Sequence, residues 1–294
     1  MTDPTALSPA LLSWASRVLG TRLSGQEISH PRERSRACRL GLPGSVRFSL
    51  KVSPKAVLYE RETLALRSTA PALGVGDAPQ LRASSAEHLA LLLTAVPGRL
   101  LTEQTLAPAQ ESRAHRQAGA LLARFPAAGD LSGPRRAEAE QALQALVEGA
   151  EGHLATAGDR LTAPEQTLVR EGAGPLRALP PLAYIHGDAS NRSPKWSGTR
   201  QRAGGIDFER SRPATAMQDF VLRACSTRTD RLDLRAACLQ GYGRNVMPGK
   251  QHAVMGLAAL DAVGCLVRGP QLDDAEVITR GRRSLDRLTE GVFA

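Results

Sequence analysis

The stretch H-G-D-A-S-N-R-S, from His186 to Ser193, concentrates an imidazole, a carboxylate, an amide and two hydroxyls in eight residues. It follows a short strand-like segment, A-Y-I. A second such segment, A-G-G-I, leads into I-D-F-E, which contains Asp207. The intervening W-S-G-T-R predicts a turn. A hairpin in this region would therefore bring Asp188 and Asp207 to one edge of a small sheet.

Two carboxylates facing a cleft suit one chemical task well. One acid can accept a proton from a hydroxyl group and orient it, while the other holds Mg²⁺ against phosphate oxygens. Hard oxygen ligands favour Mg²⁺ over zinc. The alternative is that both acids only cap turns at strand ends, and the pair alone does not decide between these interpretations.

The first third of the chain predicts a β-hairpin followed by a helix. In V-R-F-S-L-K-V, apolar residues such as Phe48 and Leu50 alternate with polar ones, and Lys51 lies on the polar side. The helix L-Y-E-R-E-T-L-A-L-R follows. A strand lysine held by a helix acid can bind nucleotide phosphates, with Glu62 as the natural partner and Glu60 as the second choice. The alternative is an ordinary exposed lysine.

Elsewhere the sequence predicts one more buried strand, H-L-A-L-L-L-T-A-V, and then mostly helices. An amino-terminal helix is expected after Ser8-Pro9. Helices are also predicted over Pro108–Phe125 and Arg135–Leu154, where apolar residues recur at helical spacing. The organisation is therefore a β-rich first third and a helical remainder that contains one small sheet, with the boundary near Val96.

Composition limits the partners of the protein. The 294 residues are 42% hydrophobic, which is enough for one large domain or two lobes. The net charge of +9 comes almost entirely from arginine, with only four lysines. The arginines are scattered and no zinc-finger or RNP-type pattern accompanies them, which favours a solvated surface over nucleic-acid binding.

The sequence also lacks several familiar signals. The four cysteines form no C-x-x-C pair, and there is no P-loop, G-x-G-x-x-G, H-E-x-x-H or G-x-S-x-G motif. No basic amino-terminal region precedes an apolar stretch, and no segment has the roughly 20 apolar residues that cross a bilayer. We therefore expect a cytoplasmic protein with reduced thiols and no membrane partner. The oligomeric state is not indicated.

Taken together, the motifs resemble the aminoglycoside phosphotransferase family and the related choline kinase-like small-molecule kinases. The matching pieces occur in family order between about residues 28 and 245: F-S-L-K-V, E-T-L-A-L, L-L-L-T-A-V-P-G, A-G-A-L-L-A-R-F, H-G-D-A-S-N-R-S, G-G-I-D-F-E and M-Q-D-F-V. The resemblance implies an α+β, two-lobed protein-kinase-like fold. Its β-rich nucleotide-binding lobe would span residues 1–95 and its mainly helical lobe, with the catalytic loop and acceptor site, residues 96–294.

The resemblance also implies how a nucleotide would be held. Lys51 would bind the α and β phosphates of ATP (or GTP), steadied by Glu62. Thr94 and Val96, at the hinge between the lobes, would offer backbone C=O and N–H groups to the base. The segment Glu27–Arg36 would be the loop that covers the phosphates. Because it contains no glycine, its backbone N–H groups and the side chain of Ser35 would have to contact the phosphates.

In the helical lobe the resemblance assigns roles to four residues. Asp188 would be the catalytic base, or the group that orients the acceptor hydroxyl. Asp207 would ligate Mg²⁺. Asp219 corresponds to the helix acid that braces the catalytic loop, and His186 to a side chain that holds this loop.

One position departs from the family pattern. The family has an asparagine five residues after the catalytic aspartate as the second metal ligand, and here that position is Ser193. Asn191 lies only three residues after Asp188, and Pro194 begins the next strand, where it lacks an N–H for pairing. Three readings stay open: Asn191 reaches the metal, Ser193 takes the site directly or through water, or the metal site is degraded.

The resulting expectation is a Mg²⁺- and ATP-dependent kinase that phosphorylates a hydroxyl of a small molecule. The acceptor classes are an antibiotic, such as an aminoglycoside or nucleoside, or a sugar-like metabolite. Acids that could bind an acceptor are Asp230, Asp233 and Asp261, although the net positive charge argues against a strongly cationic substrate. The alternative is a weak or inactive, pseudokinase-like binding or regulatory protein.

Overall fold

The computed structural model describes most of the chain: residues 8–29, 35–41, 48–128, 131–176, 182–189, 193–222, 231–243 and 248–291. It contains a β-sheet region in its first third and a mainly helical part after that, as the sequence predicts. The fold class is therefore α+β.

The amino-terminal sheet consists of five antiparallel strands: β1 Ser24–Glu27, β2 Arg36–Gly41, β3 Phe48–Val52, β4 Leu81–Ser85 and β5 Ala90–Thr94. Their spatial order is β1-β2-β3-β5-β4, so β3 lies at the centre. The predicted pairing of the segments that became β2 and β3 is confirmed. The sheet thereby places Lys51 on its most protected strand.

One face of this sheet is covered by the first helix, α1 (Pro9–Leu19). Ser8 caps the helix by accepting a hydrogen bond from the Leu11 amide, and Pro9 opens it. Apolar side chains of the sheet, including Leu40 and Leu50, pack against it. Because strand residues alternate between faces, Lys51 points to the opposite side.

The opposite face of the sheet packs against α2 (Ala56–Ser68). Tyr59 and Leu66 of this helix join Leu91 and Leu93 of β5 in a second apolar cluster. Glu62 also lies on the inner side of α2 and is 1% exposed. The helix predicted after Lys51 is thus present and turns its central acid toward the sheet.

The remainder of the described chain adds seven helices: α3 Pro108–Ala128, α4 Pro134–Ala157, α5 Ala163–Leu176, α6 Met217–Val221, α7 Leu232–Tyr242, α8 Pro248–Gln271 and α9 Ala275–Thr289. Side chains of α4, α5, α8 and α9 form the largest apolar core. The segment Ala253–Gln271 of α8 is apolar enough by composition to span a membrane, but 78% of it is buried within the protein. Its hydropathy accords with its central place in this core.

Short strands lie between the helices: β6 Arg99–Leu100, β7 Leu182–Ile185, β8 Pro194–Ser197, β9 Arg202–Gly205 and β10 Arg212–Thr215. The predicted hairpin forms, but its first strand is β8, which pairs with β9 and β6. The strand before Asp188, β7, pairs instead with β10. Pro194 is tolerated at the first position of β8, where a missing N–H costs least.

Two strands of the amino-terminal sheet, β1 and β4, were not predicted as strands from the sequence. The residues of β1, S-G-Q-E, carry no apolar alternation because the strand is an exposed edge. The residues of β4, L-R-A-S-S, form the opposite edge and bulge in register between Leu81 and Ala83. Edge strands show weaker patterns because only one side is paired and little is buried.

Helices α5 and α8 cross at a contact between two glycines, which yields a stability prediction. A methyl group on Gly172 would lie 2.5 Å from the Gly256 Cα atom. We expect Gly172→Ala to lower the free energy of unfolding by about 1–3 kcal/mol because packed backbones must separate. The measurement is urea unfolding followed by circular dichroism.

Gly152→Ala, in α4, is the matched control because no atom lies within 4 Å of its added methyl group. It should be neutral or stabilising by up to about 1 kcal/mol, since alanine favours the helix. Equal stability of the two variants would contradict the packing described for α5 and α8.

Candidate functional site

A single lysine lies among three carboxylates between the sheet and the helical part. The Nζ atom of Lys51 is 2.8 Å from Glu62 Oε2, 2.5 Å from Asp207 Oδ1 and 3.1 Å from Glu209 Oε2. Oxygen atoms of the three acids all lie within 4.8 Å of one another. The structure therefore brings together the predicted Lys51, Glu62 and Asp207 and adds Glu209.

The charges of this cluster do not balance, because one ammonium group faces three carboxyl groups. Burial would lower the pKa of Lys51, but Asp207, Glu62 and Glu209 raise it well above its usual value. Burial, together with the nearby Asp207 and Glu209, raises the pKa of Glu62 to about 7 despite the attraction of Lys51. Although burial opposes it, Lys51 lowers the pKa of Asp207. The cluster is thus poised to take up further positive charge.

The three acids reach Lys51 from two parts of the chain, helix α2 and the segment after β9. Glu62 comes from α2, and its second oxygen accepts a hydrogen bond from the Phe208 amide at 3.3 Å. Asp207 lies two residues after the end of β9. Its own φ is positive, at 69°, a conformation that is uncommon for residues other than glycine. The Phe208 ring stacks on Phe125 at 5.2 Å and fixes the segment between Asp207 and Glu209.

Asp188 lies on a loop braced by a buried acid. Asp219 of α6, which is fully buried, accepts hydrogen bonds from the amides of His186 (2.6 Å) and Gly187 (2.8 Å). Burial raises the pKa of Asp219, and these amides and His186 oppose that effect. Gly187 has a φ of 79°, and a side chain there would collide with the Arg210 carbonyl. The glycine of H-G-D is therefore required by the backbone.

His186 links the two acid-bearing segments. Its Nδ1 atom accepts a hydrogen bond from the Asp188 amide at 3.3 Å, and its Nε2 atom lies 3.1 Å from the Ile206 carbonyl. The ring also packs against Phe208, with centroids 4.9 Å apart. With Nδ1 accepting, Nε2 carries the proton that the carbonyl accepts. The imidazole thus holds Asp188 and Asp207 at neighbouring positions.

The position that departs from the family pattern supports the loop. The Ser193 hydroxyl donates a hydrogen bond to the Asp188 carbonyl at 2.5 Å, and the Ser193 carbonyl accepts one from Ile206. Ser193 is 5% exposed. Its proton is therefore committed to the backbone. Asn191, the other candidate at this site, lies outside the described residues.

The remaining nucleotide-site candidates, Ser35, Thr94 and Val96, lie at or near the ends of strands of the amino-terminal sheet. Ser35, at the end of the predicted phosphate-covering loop, donates a hydrogen bond to Glu209. The Thr94 amide and hydroxyl bond to the backbone of Gln80 within the sheet. Val96 is buried, and its side chain packs directly against the backbone of Gly204, where a Cβ atom would lie 2.5 Å from Val96 Cγ1. Ser35 therefore lies beside the acids, whereas Thr94 is the last residue of β5 and Val96 follows it by two.

The acids predicted to bind an acceptor are not gathered together. Asp233 is exposed and pairs with Arg231 at 2.7 Å, and Asp230 lies outside the described residues. Asp261 of α8 lies 4.0 Å from Arg268. Burial raises the pKa of Asp261, and the charge of Asp188 contributes to that shift. Of the described pair, only Asp261 is within electrostatic reach of Asp188.

Two residues of the site were missed by sequence reasoning. Glu209 is the last residue of I-D-F-E, two residues after Asp207, and was not named as a candidate from the sequence. Arg210 places its Nε atom 3.4 Å from Asp188 Oδ2. A carboxylate two residues after a metal-binding candidate is a signal that could have been used. The Arg210 contact depends on long-range folding and has no local signature.

Residues 24–253 match a family model described as "Phosphotransferase enzyme family". No curated protein matches.

Solved structures give fold-level matches over nearly the whole chain. A putative fructosamine-3-kinase from Thermobifida fusca is 18% identical, with a TM-score of 0.62 over 94% of this chain and 99% of that one. A choline/ethanolamine kinase family protein from Mesorhizobium loti is 18% identical, with a TM-score of 0.61 over 91% of this chain and 86% of that one. The structure of a thermostable mutant of the aminoglycoside phosphotransferase APH(4)-Ia, in a ternary complex with ADP and hygromycin B, is 13% identical. Its TM-score is 0.64 over 94% of this chain and 98% of that one.

The raised pKa of Glu62 leads to a pH prediction. The folded state holds this proton more tightly than the unfolded chain, so the stabilisation is complete below pH 4.5 and is lost as the pH rises through about 7. In the wild type, the unfolding free energy should therefore decline between pH 4.5 and 7.5. We expect this decline to be smaller in Glu62→Gln, by as much as about 3 kcal/mol. Chemical unfolding with a chelator present at pH 4.5, 5.5, 6.5 and 7.5 measures it. Parallel slopes for both proteins would contradict the assignment.

Proposed function

The chain belongs to the phosphotransferase enzyme family, and from this membership we propose that it transfers the γ-phosphoryl group of a nucleoside triphosphate to a hydroxyl of a small molecule. The observation that carries the proposal is the cluster of Lys51 with three carboxylates, beside the braced loop of Asp188. Such transfer depends mainly on positioning and on neutralising phosphate charge. The site offers groups for both tasks.

We propose that the nucleotide lies between two lobes, residues 1–95 and 96–294, which meet near Val96. Lys51 would contact the phosphates, with Glu62 holding its side chain at 2.8 Å. Ser35 and the preceding loop would cover the phosphates, and the backbone at Thr94 and Val96 would face the base. ADP in the APH(4)-Ia structure supports nucleotide use in this fold. Both ATP and GTP fit this description.

The donor set at Lys51 fits Mg²⁺, because it consists of carboxylate oxygens. We propose that Asp207 and Glu209 hold the ion, since both flank Phe208 and their oxygens lie close together. Mg²⁺ supplies charge neutralisation to the phosphate oxygens when bound. In this arrangement Ser193 keeps the loop in place through its bond to the Asp188 carbonyl.

Asp188 would orient the acceptor hydroxyl and take its proton. The acceptor oxygen then forms a bond to the γ-phosphorus while the bond from that phosphorus to the β–γ bridging oxygen breaks, leaving a phosphate ester and a nucleoside diphosphate. Asp219 and His186 act by positioning, since they hold the backbone of the loop.

We propose an acceptor that is neutral or anionic. Arg210 pairs with Asp188, and Arg212 and Arg280 are within electrostatic reach of that carboxylate. Asp261 is the additional acid whose charge interacts with Asp188 in the described residues. A polycation would require clustered acids at this place. A hydroxylated antibiotic without several amino groups, a nucleoside or a sugar-like metabolite suits this mixture better.

The setting of the reaction is proposed to be the cytoplasm, where nucleoside triphosphates are available. Cys38, Cys238 and Cys265 are buried free thiols, which are typical of a reducing compartment. An antibiotic acceptor would make the enzyme a resistance factor, as the hygromycin B bound to the APH(4)-Ia structure illustrates for that protein.

The proposal is tested by a mass-spectrometric search for addition of one phosphate to hydroxylated compounds. The panel should contain cationic aminoglycosides, neutral macrolides and nucleosides, and anionic sugar acids, each with ATP or GTP and Mg²⁺. Phosphorylation of a neutral or anionic compound supports the proposal. A protein that binds Mg²⁺ and nucleotide but modifies no compound would instead favour a regulatory, pseudokinase-like role, which the serine at position 193 first suggested.

Asp188→Asn tests the proposed role of that carboxylate. Because the amide retains the shape but cannot accept a proton, we expect kcat to fall by at least about 100-fold. Nucleotide affinity should change less than about threefold, since the phosphate and base contacts lie elsewhere. The exposed Asp233→Asn is the matched control and should retain activity. Turnover within a few-fold of wild type in the Asp188 variant would refute the role.

A further inference from the structure

Two basic side chains face the cleft between Lys51 and the hinge. In the register of the sheet, Arg39 of β2 lies opposite Ser49 of β3, and Ser49 lies opposite Leu93 of β5. Arg39 and Ser49 therefore share the face of Lys51, because neighbouring residues such as Leu40 point into the core under α1. Arg39 thus lies on the roof of the cleft.

Lys195 lies on the floor of the same cleft. It belongs to β8, and the residues on either side of it, Pro194 and Trp196, are buried beside side chains of α3 such as Leu121 and Phe125. Alternation along the strand puts Lys195 on the other face. The partner strand β6 leads directly away from the hinge. Lys195 is therefore half-buried beside the hinge and below the sheet.

These two side chains are close enough to influence each other. Burial lowers the pKa of Lys195, and the positive charge of Arg39 lowers it further, while Glu103 has the opposite effect. Glu103 itself pairs with Arg99 at 3.9 Å. Among the residues that the structure describes, the side chains of Arg39 and Lys195 form no hydrogen bond or ion pair. Two positive side chains thus line this part of the cleft, and Glu103 offsets only part of their charge at Lys195.

The place of these cations indicates which part of a nucleotide they meet. Ser49 is two residues from Lys51, a displacement of about 6.6 Å along the strand. The displacement is toward Thr94, which pairs with the adjacent Phe48. With the phosphates at Lys51, the ribose and base extend toward the hinge and pass between Arg39 and Lys195.

We propose that Arg39 and Lys195 clamp the purine base of the nucleotide between them, one on each face of the ring. The electron-rich faces of a purine attract cations, and such contacts contribute about 2- to 30-fold in affinity. The phosphates have their own partners in Lys51 and in the metal held by the acids. This inference rests on the proposed function, because it takes the cleft as a nucleotide site.

Binding measurements separate the base from the phosphates without requiring turnover. Displacement of a fluorescent nucleotide would be measured with adenosine, with guanosine and with inorganic tripolyphosphate. The variants are Lys195→Met and Arg39→Met, which keep an unbranched chain without charge. Arg82→Met is the matched control, because Arg82 is an exposed arginine on β4, the far edge of the same sheet.

Each cleft variant should weaken nucleoside binding at least about fivefold and leave tripolyphosphate affinity within about twofold, while the control changes neither. Lys195→Arg should restore nucleoside affinity. Unchanged or tighter nucleoside binding in the Met variants would overturn the clamp, as would a loss confined to tripolyphosphate. A wild-type protein that binds no nucleotide would overturn the proposed function as well, whereas equal binding by wild type and variants overturns only the clamp.

Discussion

The ion cluster in which Lys51 meets Glu62, Asp207 and Glu209 is the contact on which the rest of the structure depends. It joins the central strand of the sheet, helix α2 and the segment after β9 through three short charge contacts. Taking four ionisable groups out of water is costly unless their charges are compensated. One ammonium compensates only part of three carboxylates. The remaining negative charge leaves the cluster able to attract a further cation while it braces the fold.

The loop that carries Asp188 is tied to the same cluster by its backbone. Asp219 holds the amides of His186 and Gly187, and the imidazole of His186 spans from the Asp188 amide to the carbonyl before Asp207. Buried hydrogen bonds of this kind are expensive to leave unmade. Asp188 is therefore positioned by groups that do not themselves take part in the proposed transfer. The half-buried Asp188 carboxylate remains accessible to an acceptor.

Much of the fold and part of the site follow from local patterns in the sequence. The alternation around Lys51, the helix that carries Glu62 and the strand-end positions of Asp188 and Asp207 are all readable because strands and helices have fixed periods. The pairing of β7 with β10 and the contact of Arg210 with Asp188 cannot be predicted in this way. Both depend on which distant segments pack together. The polar edge strand β1 was missed because exposure on both faces removes its apolar signal.

We propose that the acids around Lys51 form the metal and nucleotide site, and that Glu209 takes the place of the asparagine in the family pattern. Thermal unfolding with nucleotide alone, Mg²⁺ alone and both together tests it most directly, because a ligand that binds the folded state raises Tm. If this site is correct, nucleotide and Mg²⁺ together raise Tm by more than the sum of the two separate shifts. Glu209→Gln should remove this excess, whereas Ser193→Ala should largely keep it. An equal nucleotide shift with and without Mg²⁺, or an excess lost only in the Ser193 variant, would contradict the proposed site.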